Sequence, residues 1–130
     1  MQAEAAVFKT LADPTRLRLA VILAVNGETC VCELAAALDA PEFRISRHLG
    51  IMRDRGLVEA RRQGTWVHYR LAKPRSKLEE CLQACFGDCL ADHPDVVADL
   101  RRLRTYRERA RACCPGGNTK KRPTALERKP

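Results

Sequence analysis

Two short helical segments joined by a tight break constrain the fold more than any other feature of this chain. The break is Asp39-Ala40-Pro41, with a predicted helix at about 31–38 before it and another from Pro41 to about Arg55, which Gly56 stops. In the second segment an apolar face recurs at i, i+4 and i+7: Ile45, Leu49 and Met52. Such a pair predicts a helix-turn-helix motif, in which the second helix enters the DNA major groove.

A β-hairpin is predicted directly after these helices. Residues 57–71 roughly alternate apolar and polar side chains on both sides of Gln63-Gly64, which predicts a glycine turn. Further helices are predicted at about 2–11, 14–25, 75–91 and 94–112, and in the first of these the apolar face is formed by Ala5, Phe8, Leu11 and Ala12. The fold class is therefore mostly α with a β-hairpin wing, a winged helix-turn-helix. We expect one domain over residues 1–112 and a flexible basic tail over 113–130.

The charge of the chain favours an anionic partner such as nucleic acid. The 130 residues carry a net charge of +8, and the isoelectric point is about 9.5. The segment from Glu42 to Gly64 holds six arginines against three acidic residues. The longest apolar run, Leu19 to Val25, is far shorter than the roughly 20 residues of a membrane span. The N-terminal residues lack the basic region of a secretory signal, so a cytosolic location is expected.

Cys30 and Cys32, at the start of the helix predicted at 31–38, are the first candidates for a soft-metal site. Unpaired N–H groups at a helix N-terminus favour a thiolate, which binds such ions. Residues i and i+2 of a helix point about 200° apart. We therefore expect one ion to hold both sulfurs only if the first helical turn unwinds. Alternatively, both are small half-buried fillers.

Five further cysteines form two groups. Cys81, Cys85 and Cys89 share a helical stripe with Leu78, Leu82 and Phe86, which predicts apolar packing at a dimer interface, although a pair of them could bind one ion. Cys113 and Cys114 precede Pro115-Gly116-Gly117 and are expected to be exposed. They are candidate metal ligands that could supply a third sulfur to the site at Cys30 and Cys32. Alternatively, they could form a separate metal-binding site, or they could simply be reactive thiols near the C-terminus.

Four motifs together resemble the ArsR/SmtB family of metal-sensing repressors, and in particular its arsenical-resistance repressors. They are Cys30-Val31-Cys32-Glu33-Leu34, Ile45-Ser46-Arg47-His48-Leu49, Gly56-Leu57-Val58 and Arg62 to Leu71. The resemblance implies a homodimeric repressor that leaves its operator when As(III) or Sb(III) binds as inducer, with no catalytic cofactor.

Two departures from the family pattern concern the metal ligands. The best-known arsenical repressors carry a third cysteine at the position where this chain has Ala35. The zinc-sensing branch places Asp and His ligands on the C-terminal helix, and Asp92, His93 and Asp95 do not reproduce that spacing.

The predicted DNA contacts are Arg44, Ser46, Arg47 and His48 in the second helix of the motif and Arg61 and Arg62 in the wing. Arg47 faces away from the apolar stripe and could bind a guanine with two hydrogen bonds. For His48, packing is as plausible as contact. The wing arginines suit phosphate or a minor groove. We expect a two-fold dimer on a palindromic operator, held by the first helix and the C-terminal helices.

Two other readings stay open at this point. The signal could be cadmium, lead, zinc or thiol oxidation, or the chain could be a thiol-rich metal-binding module without an operator. An enzyme is not expected, since no glycine-rich phosphate loop or paired-carboxylate motif occurs, and a redox dithiol usually has C-x-x-C spacing.

Overall fold

The structure is a computed structural model that describes residues 1–113, with side chains as far as Arg111. Within that range six helices and three strands follow one another: α1 (Gln2–Leu11), α2 (Pro14–Asn26), β1 (Thr29–Cys30), α3 (Val31–Leu38), α4 (Glu42–Asp54), β2 (Val58–Gln63), β3 (Trp66–Leu71), α5 (Lys77–Cys89) and α6 (Pro94–Cys113). This order confirms the predicted mostly helical fold with a β-hairpin wing. No helix in the described range is long and apolar enough to cross a membrane.

The helix-turn-helix formed by α3 and α4 has the predicted boundaries to within one residue. Asp39 takes a left-handed conformation with φ 53°, which turns the chain between the helices, and Pro41 is the N-cap of α4. The predicted apolar face of α4 is confirmed, because its three members are fully buried: Ile45, Leu49 and Met52. Gly56 follows α4 and has φ 79°, a conformation that is strained for any residue with a side chain. A Cβ atom at this position would also collide with the Arg75 guanidinium.

The wing is a three-stranded antiparallel sheet in the order β1-β3-β2. Gln63 pairs with Trp66, so the turn residues are Gly64 and Thr65, one position later than predicted. The two-residue strand β1 was not predicted. It pairs Cys30 with His68 of β3, and it therefore joins the thiol segment to the wing.

The N-terminal helices differ from prediction in detail. Asp13 caps α2, because its carboxylate accepts hydrogen bonds from the backbone N–H groups of Thr15 and Arg16. The predicted inner face of α1 is only partly confirmed. Leu11 packs against the core, but Ala5, Phe8 and Ala12 are exposed, and Val7 and Thr10 are buried instead. Thr10 can be buried because its hydroxyl donates to the Ala6 carbonyl at 2.8 Å. Gly27 ends α2 with φ 84° and ψ −157°, a conformation that favours glycine.

Helix α6 is fixed against α2 and α3 by a buried carboxylate. Asp99 is fully buried and accepts two hydrogen bonds from Arg18 of α2, at 2.6 and 3.0 Å. Arg102 donates to the same carboxylate at 2.7 Å and to the Ala37 carbonyl of α3, also at 2.7 Å. These bonds satisfy a charge that would otherwise be costly to bury. They hold α6 against α2 and against the C-terminal end of α3.

Candidate thiol site and DNA-binding surface

The sulfurs of Cys30 and Cys32 lie 2.8 Å apart. Cys30 is the N-cap of α3, with φ −83° and ψ 161°, so its backbone is extended, and only Cys32 lies inside the helix. The expectation that the two side chains diverge by about 200° is therefore wrong, because it treated both as helical residues. The unwinding that it required is not needed to bring the sulfurs together.

The pair suits a soft ion with little rearrangement. Metal–sulfur bonds of about 2.3 Å in a tetrahedral site place two sulfurs about 3.8 Å apart. The Cys30 and Cys32 sulfurs would have to separate by about 1 Å to meet that spacing.

Cys30 is buried in a capping arrangement with Glu33. Its backbone N–H donates to the Glu33 Oε1 at 3.1 Å, and its sulfur accepts from the Glu33 backbone N–H. The hydrogen bond with Cys32, burial and the Glu33 carboxylate raise the pKa of the Cys30 thiol. The predicted help of the helix N-terminus toward a thiolate is therefore outweighed. A soft ion must displace the Cys30 proton as it binds.

Glu33 links this thiol to α6. Its Oε2 accepts from the Arg107 Nε at 2.8 Å, and both side chains are almost completely buried. Arg107 also donates to Asn26 Oδ1 at the end of α2, at 3.2 Å. One carboxylate therefore holds the backbone of Cys30 on one side and the C-terminal helix on the other.

A cavity of about 440 Å³ opens at the thiol pair. Its lining combines the start of α3, the first turns of α4, the wing and α6: Cys30, Val31, Cys32, Glu42, Ser46, Thr65, Trp66, Val67 and Tyr106. A ligand held by the two sulfurs would therefore touch elements that carry predicted DNA contacts.

A second link joins the thiol segment to the wing. Glu28, just before β1, is buried and accepts from Arg61 Nε at 2.8 Å and from Arg61 Nη2 at 3.2 Å. Arg61 also donates to Gln63 at 3.2 Å. This arginine, predicted to bind phosphate, is thus held in a bidentate ion pair, whereas Arg62 is exposed. Its position favours Arg62 over Arg61 as the wing contact.

The first turns of α4 present the other predicted DNA contacts to solvent. Arg44, Ser46 and Arg47 are exposed. His48 is half-buried, with its Nδ1 3.4 Å from the Arg16 Nη1. Burial, together with nearby arginines, lowers the pKa of His48 despite the opposing effect of Asp13, so the ring is neutral at neutral pH. This placement favours the packing role of His48.

The three cysteines of α5 do not line the cavity at Cys30 and Cys32. Cys81 and Cys89 are exposed on α5, Cys85 is half-buried, and a hydrogen bond with Cys85 raises the pKa of Cys89. Cys113 is the last residue of α6, and Cys114 lies outside the described residues. Among the described side chains, no group of three or more His, Cys, Asp or Glu residues is arranged to hold a metal.

Comparison with known proteins identifies the family. The sequence profile described as "Bacterial regulatory protein, arsR family" matches residues 13–60. A homodimeric winged helix-turn-helix DNA-binding domain from Mycobacterium bovis, described as a possible ArsR-family transcriptional regulator, has a TM-score of 0.56 and 34% identity, over 72% of this chain and 86% of that one. The chain belongs to the ArsR family.

Two curated relatives are resistance regulators. The arsenical resistance operon repressor of Escherichia coli is 53% identical over 66 residues, which cover 51% of this chain and 56% of the relative. A cadmium resistance transcriptional regulatory protein, the CadC homolog of Staphylococcus aureus, is 37% identical over 67 residues, 52% of this chain and 55% of the relative. The chain therefore spans about half the length of these curated relatives.

Sequence reasoning within the ArsR pattern missed several residues of the site. Glu33 had a local signal, since a capping residue followed three positions later by Glu is a capping box, here with cysteine in place of serine or threonine. Arg107 and Tyr106 had none, because they lie more than 70 residues away along the chain. Phe43 was also missed. It lies on α4 one turn before Arg47 and is 73% exposed, which is unusual for a large apolar side chain on a reading helix.

Proposed function

We propose that this chain is a transcriptional repressor that binds operator DNA as a homodimer and is released when trivalent arsenic or antimony binds Cys30 and Cys32. The observation that carries the proposal is the approach of the two sulfurs to 2.8 Å beside a cavity shared with α4 and the wing. Thiolates outcompete imidazole and carboxylate for so soft an ion. The similarity to the arsenical resistance operon repressor supports the same inducer.

The proposed release starts from the separation of the sulfurs. Cys30 belongs to β1, which pairs with β3, and Glu28 beside it holds Arg61 of β2. A wider separation of the sulfurs would therefore act on the wing through Cys30, and on α3, which packs against α4, through Cys32. A coupling free energy of about 1–3 kcal/mol, or about 5–150-fold in operator affinity, is the usual scale for such linkage.

The proposed DNA complex uses a two-fold dimer. Arg44, Ser46 and Arg47 of each α4 would enter the major groove, and Arg62 of each wing would contact the backbone or minor groove. The exposed Phe8 on α1 supports the expected role of that helix in the dimer, since a partner copy would cover it.

Titration of the protein–operator complex with arsenite, cadmium or peroxide tests which of these signals releases the protein from DNA. Micromolar arsenite should release the protein from a labelled operator recovered by selection from random DNA, measured by fluorescence anisotropy. If cadmium or peroxide releases the protein and arsenite does not, the signal is another soft metal or thiol oxidation rather than arsenic. Salt-sensitive binding without sequence preference would identify a metal-binding module rather than a repressor.

Phe43 should read the methyl group of a thymine. It shares the exposed face of α4 with Arg47, and apolar side chains at such positions contact the thymine C5-methyl in the major groove. Replacing the operator thymine that Phe43 contacts with uracil removes only the methyl group. This change should weaken binding of the wild-type chain several-fold. The Phe43→Ala variant should bind both operators equally. Equal sensitivity of the variant and the wild type to the uracil substitution would exclude the contact.

A further inference from the structure

We propose that the ion pair between Glu28 and Arg61 transmits inducer binding at the thiol pair to the DNA-binding wing, with Glu28 as a positioning residue. This inference rests on the proposed function and specifies how that site is regulated. Two routes lead from the sulfurs toward the DNA contacts: one through β1 and the wing, and one through α3 to α4. The contacts along each route favour the first.

The sheet order separates the thiol segment from the strand that carries the wing arginines. β1 pairs with β3, and β3 pairs with β2, so Cys30, His68 and Arg61 form one row across the three strands. Neighbouring strands are about 4.8 Å apart, so the backbone of Arg61 lies about 10 Å from that of Cys30. Backbone pairing therefore reaches β2 from the thiol segment only by way of β3.

The ion pair connects the thiol segment and β2 directly. Glu28 lies two residues before Cys30 and is buried, and its carboxylate accepts hydrogen bonds from Arg61 Nε at 2.8 Å and from Arg61 Nη2 at 3.2 Å. Two such bonds fix the orientation of a guanidinium as well as its distance. Arg62, the exposed wing residue proposed to bind DNA, is the next residue along β2. A displacement of the segment around Cys30 therefore moves the part of β2 that carries Arg62.

Ion binding at the Cys30 sulfur acts on protein neighbours, since this residue is buried. The ion replaces the thiol proton and widens the 2.8 Å separation from the Cys32 sulfur. A close-packed interior accommodates such a change only if adjacent groups move. Glu28 belongs to the same short segment as Cys30 and is displaced with it.

The route from Cys32 to α4 passes through closely packed core. α3 packs against α4, and fully buried side chains of both helices belong to one cluster: Leu34, Ala37, Ile45 and Leu49. Shifting one helix against the other would open or compress this packing, which is costly. A shift of β1 involves a strand of two residues at the edge of the sheet, whereas a shift of α3 involves a helix of eight. The smaller rearrangement therefore lies on the wing route.

Glu28→Gln in the full-length chain tests this assignment, with sodium arsenite and the selected operator as probes. The amide has nearly the same shape but no charge, and the Arg61 side chain, which is 40% exposed, remains hydrated. Because β2 stays paired with β3, operator affinity without arsenite, and calorimetric arsenite affinity without operator, should match those of the wild type. The release factor, which is the operator Kd with arsenite divided by that without, should fall from about 5–150 to nearly one. A purely structural role for Glu28 would lower stability or operator affinity and leave the release factor in place.

Glu59→Gln is the matched control. Glu59 pairs with Arg70 across the two strands of the wing hairpin, with 3.0 Å between Arg70 Nη2 and Glu59 Oε1, and both side chains are at least half exposed. This variant removes one ion-paired carboxylate but leaves the Glu28–Arg61 pair in place, so its release factor should equal that of the wild type. Equal loss of release in Glu28→Gln and Glu59→Gln would show a general effect on the wing and overturn the inference.

The double variant Glu28→Gln/Arg61→Gln removes both charges, so neither partner keeps an unpaired charge. It should lose the release factor as completely as Glu28→Gln, because both variants break the same pair, and it decides the outcome if the single variant binds operator too weakly to measure. A release factor closer, on a logarithmic scale, to the wild-type value than to one would assign the signal to α3 and α4 and overturn the inference. A release factor of one in the wild-type chain would instead refute the proposed function.

Discussion

Replacing Cys30 or Cys32 with serine should leave operator affinity unchanged and abolish release by arsenite. A serine hydroxyl is a hard donor that does not replace a thiolate on a soft ion, and each variant leaves a single sulfur. The whole response, about 5–150-fold in operator affinity, should therefore disappear in either variant. Neither residue lies on the exposed surface of α4, so the DNA contacts remain in place. Anisotropy titrations of operator with and without arsenite measure both quantities in one experiment.

Cys81→Ser is the matched control for these variants. Cys81 is an exposed cysteine on α5 and does not line the cavity at Cys30 and Cys32. Its replacement removes one sulfur and should leave release by arsenite intact. Normal release from the Cys30 and Cys32 variants would exclude this pair as the inducer site, and loss of release only in Cys81→Ser would move that site to α5.

The helix-turn-helix and wing could be predicted because their signals are local. The spacing of Ile45, Leu49 and Met52 fixes the buried face of α4 whatever packs against it. The face of α1 could not be predicted in the same way. Phe8 is its largest apolar side chain and lies outside the core of the single chain, while Thr10 is buried by satisfying its hydroxyl within the helix. Hydrophobicity alone does not distinguish a core contact from a surface that another copy could cover.

The thiol site was predicted in composition but not in geometry. Sequence spacing identified Cys30 and Cys32, yet their separation depends on which of them is the helix cap, a one-residue difference that periodicity does not resolve. The strand pairing of Cys30 with His68 also escaped prediction, because a two-residue strand has no pattern of its own. The partners of Glu33 and Glu28 are set by long-range packing. These contacts decide how the site connects to the wing and to α6.

Replacing Arg107 with methionine should destabilise the fold by roughly 3–5 kcal/mol, because it leaves the buried Glu33 carboxylate without its charged partner. That is a large part of the roughly 5–15 kcal/mol that stabilises a domain. Adding Glu33→Gln to the Arg107→Met variant should recover much of the lost free energy of unfolding. An uncharged amide costs less to bury, and its oxygen can still accept from the Cys30 N–H. Urea unfolding followed by circular dichroism gives the free energies.

Arg70→Met is the matched control, since Arg70 pairs with Glu59 across the wing and both side chains are at least half exposed. Solvent screens such a pair, so its loss should cost less than about 1 kcal/mol. Because Glu33→Gln removes the charge that Arg107→Met leaves unpaired, recovery in the double variant is expected rather than additive loss. A double variant as unstable as the sum of its single replacements would show that Glu33 and Arg107 stabilise the fold independently, and that the buried pair does not connect the thiol segment to α6.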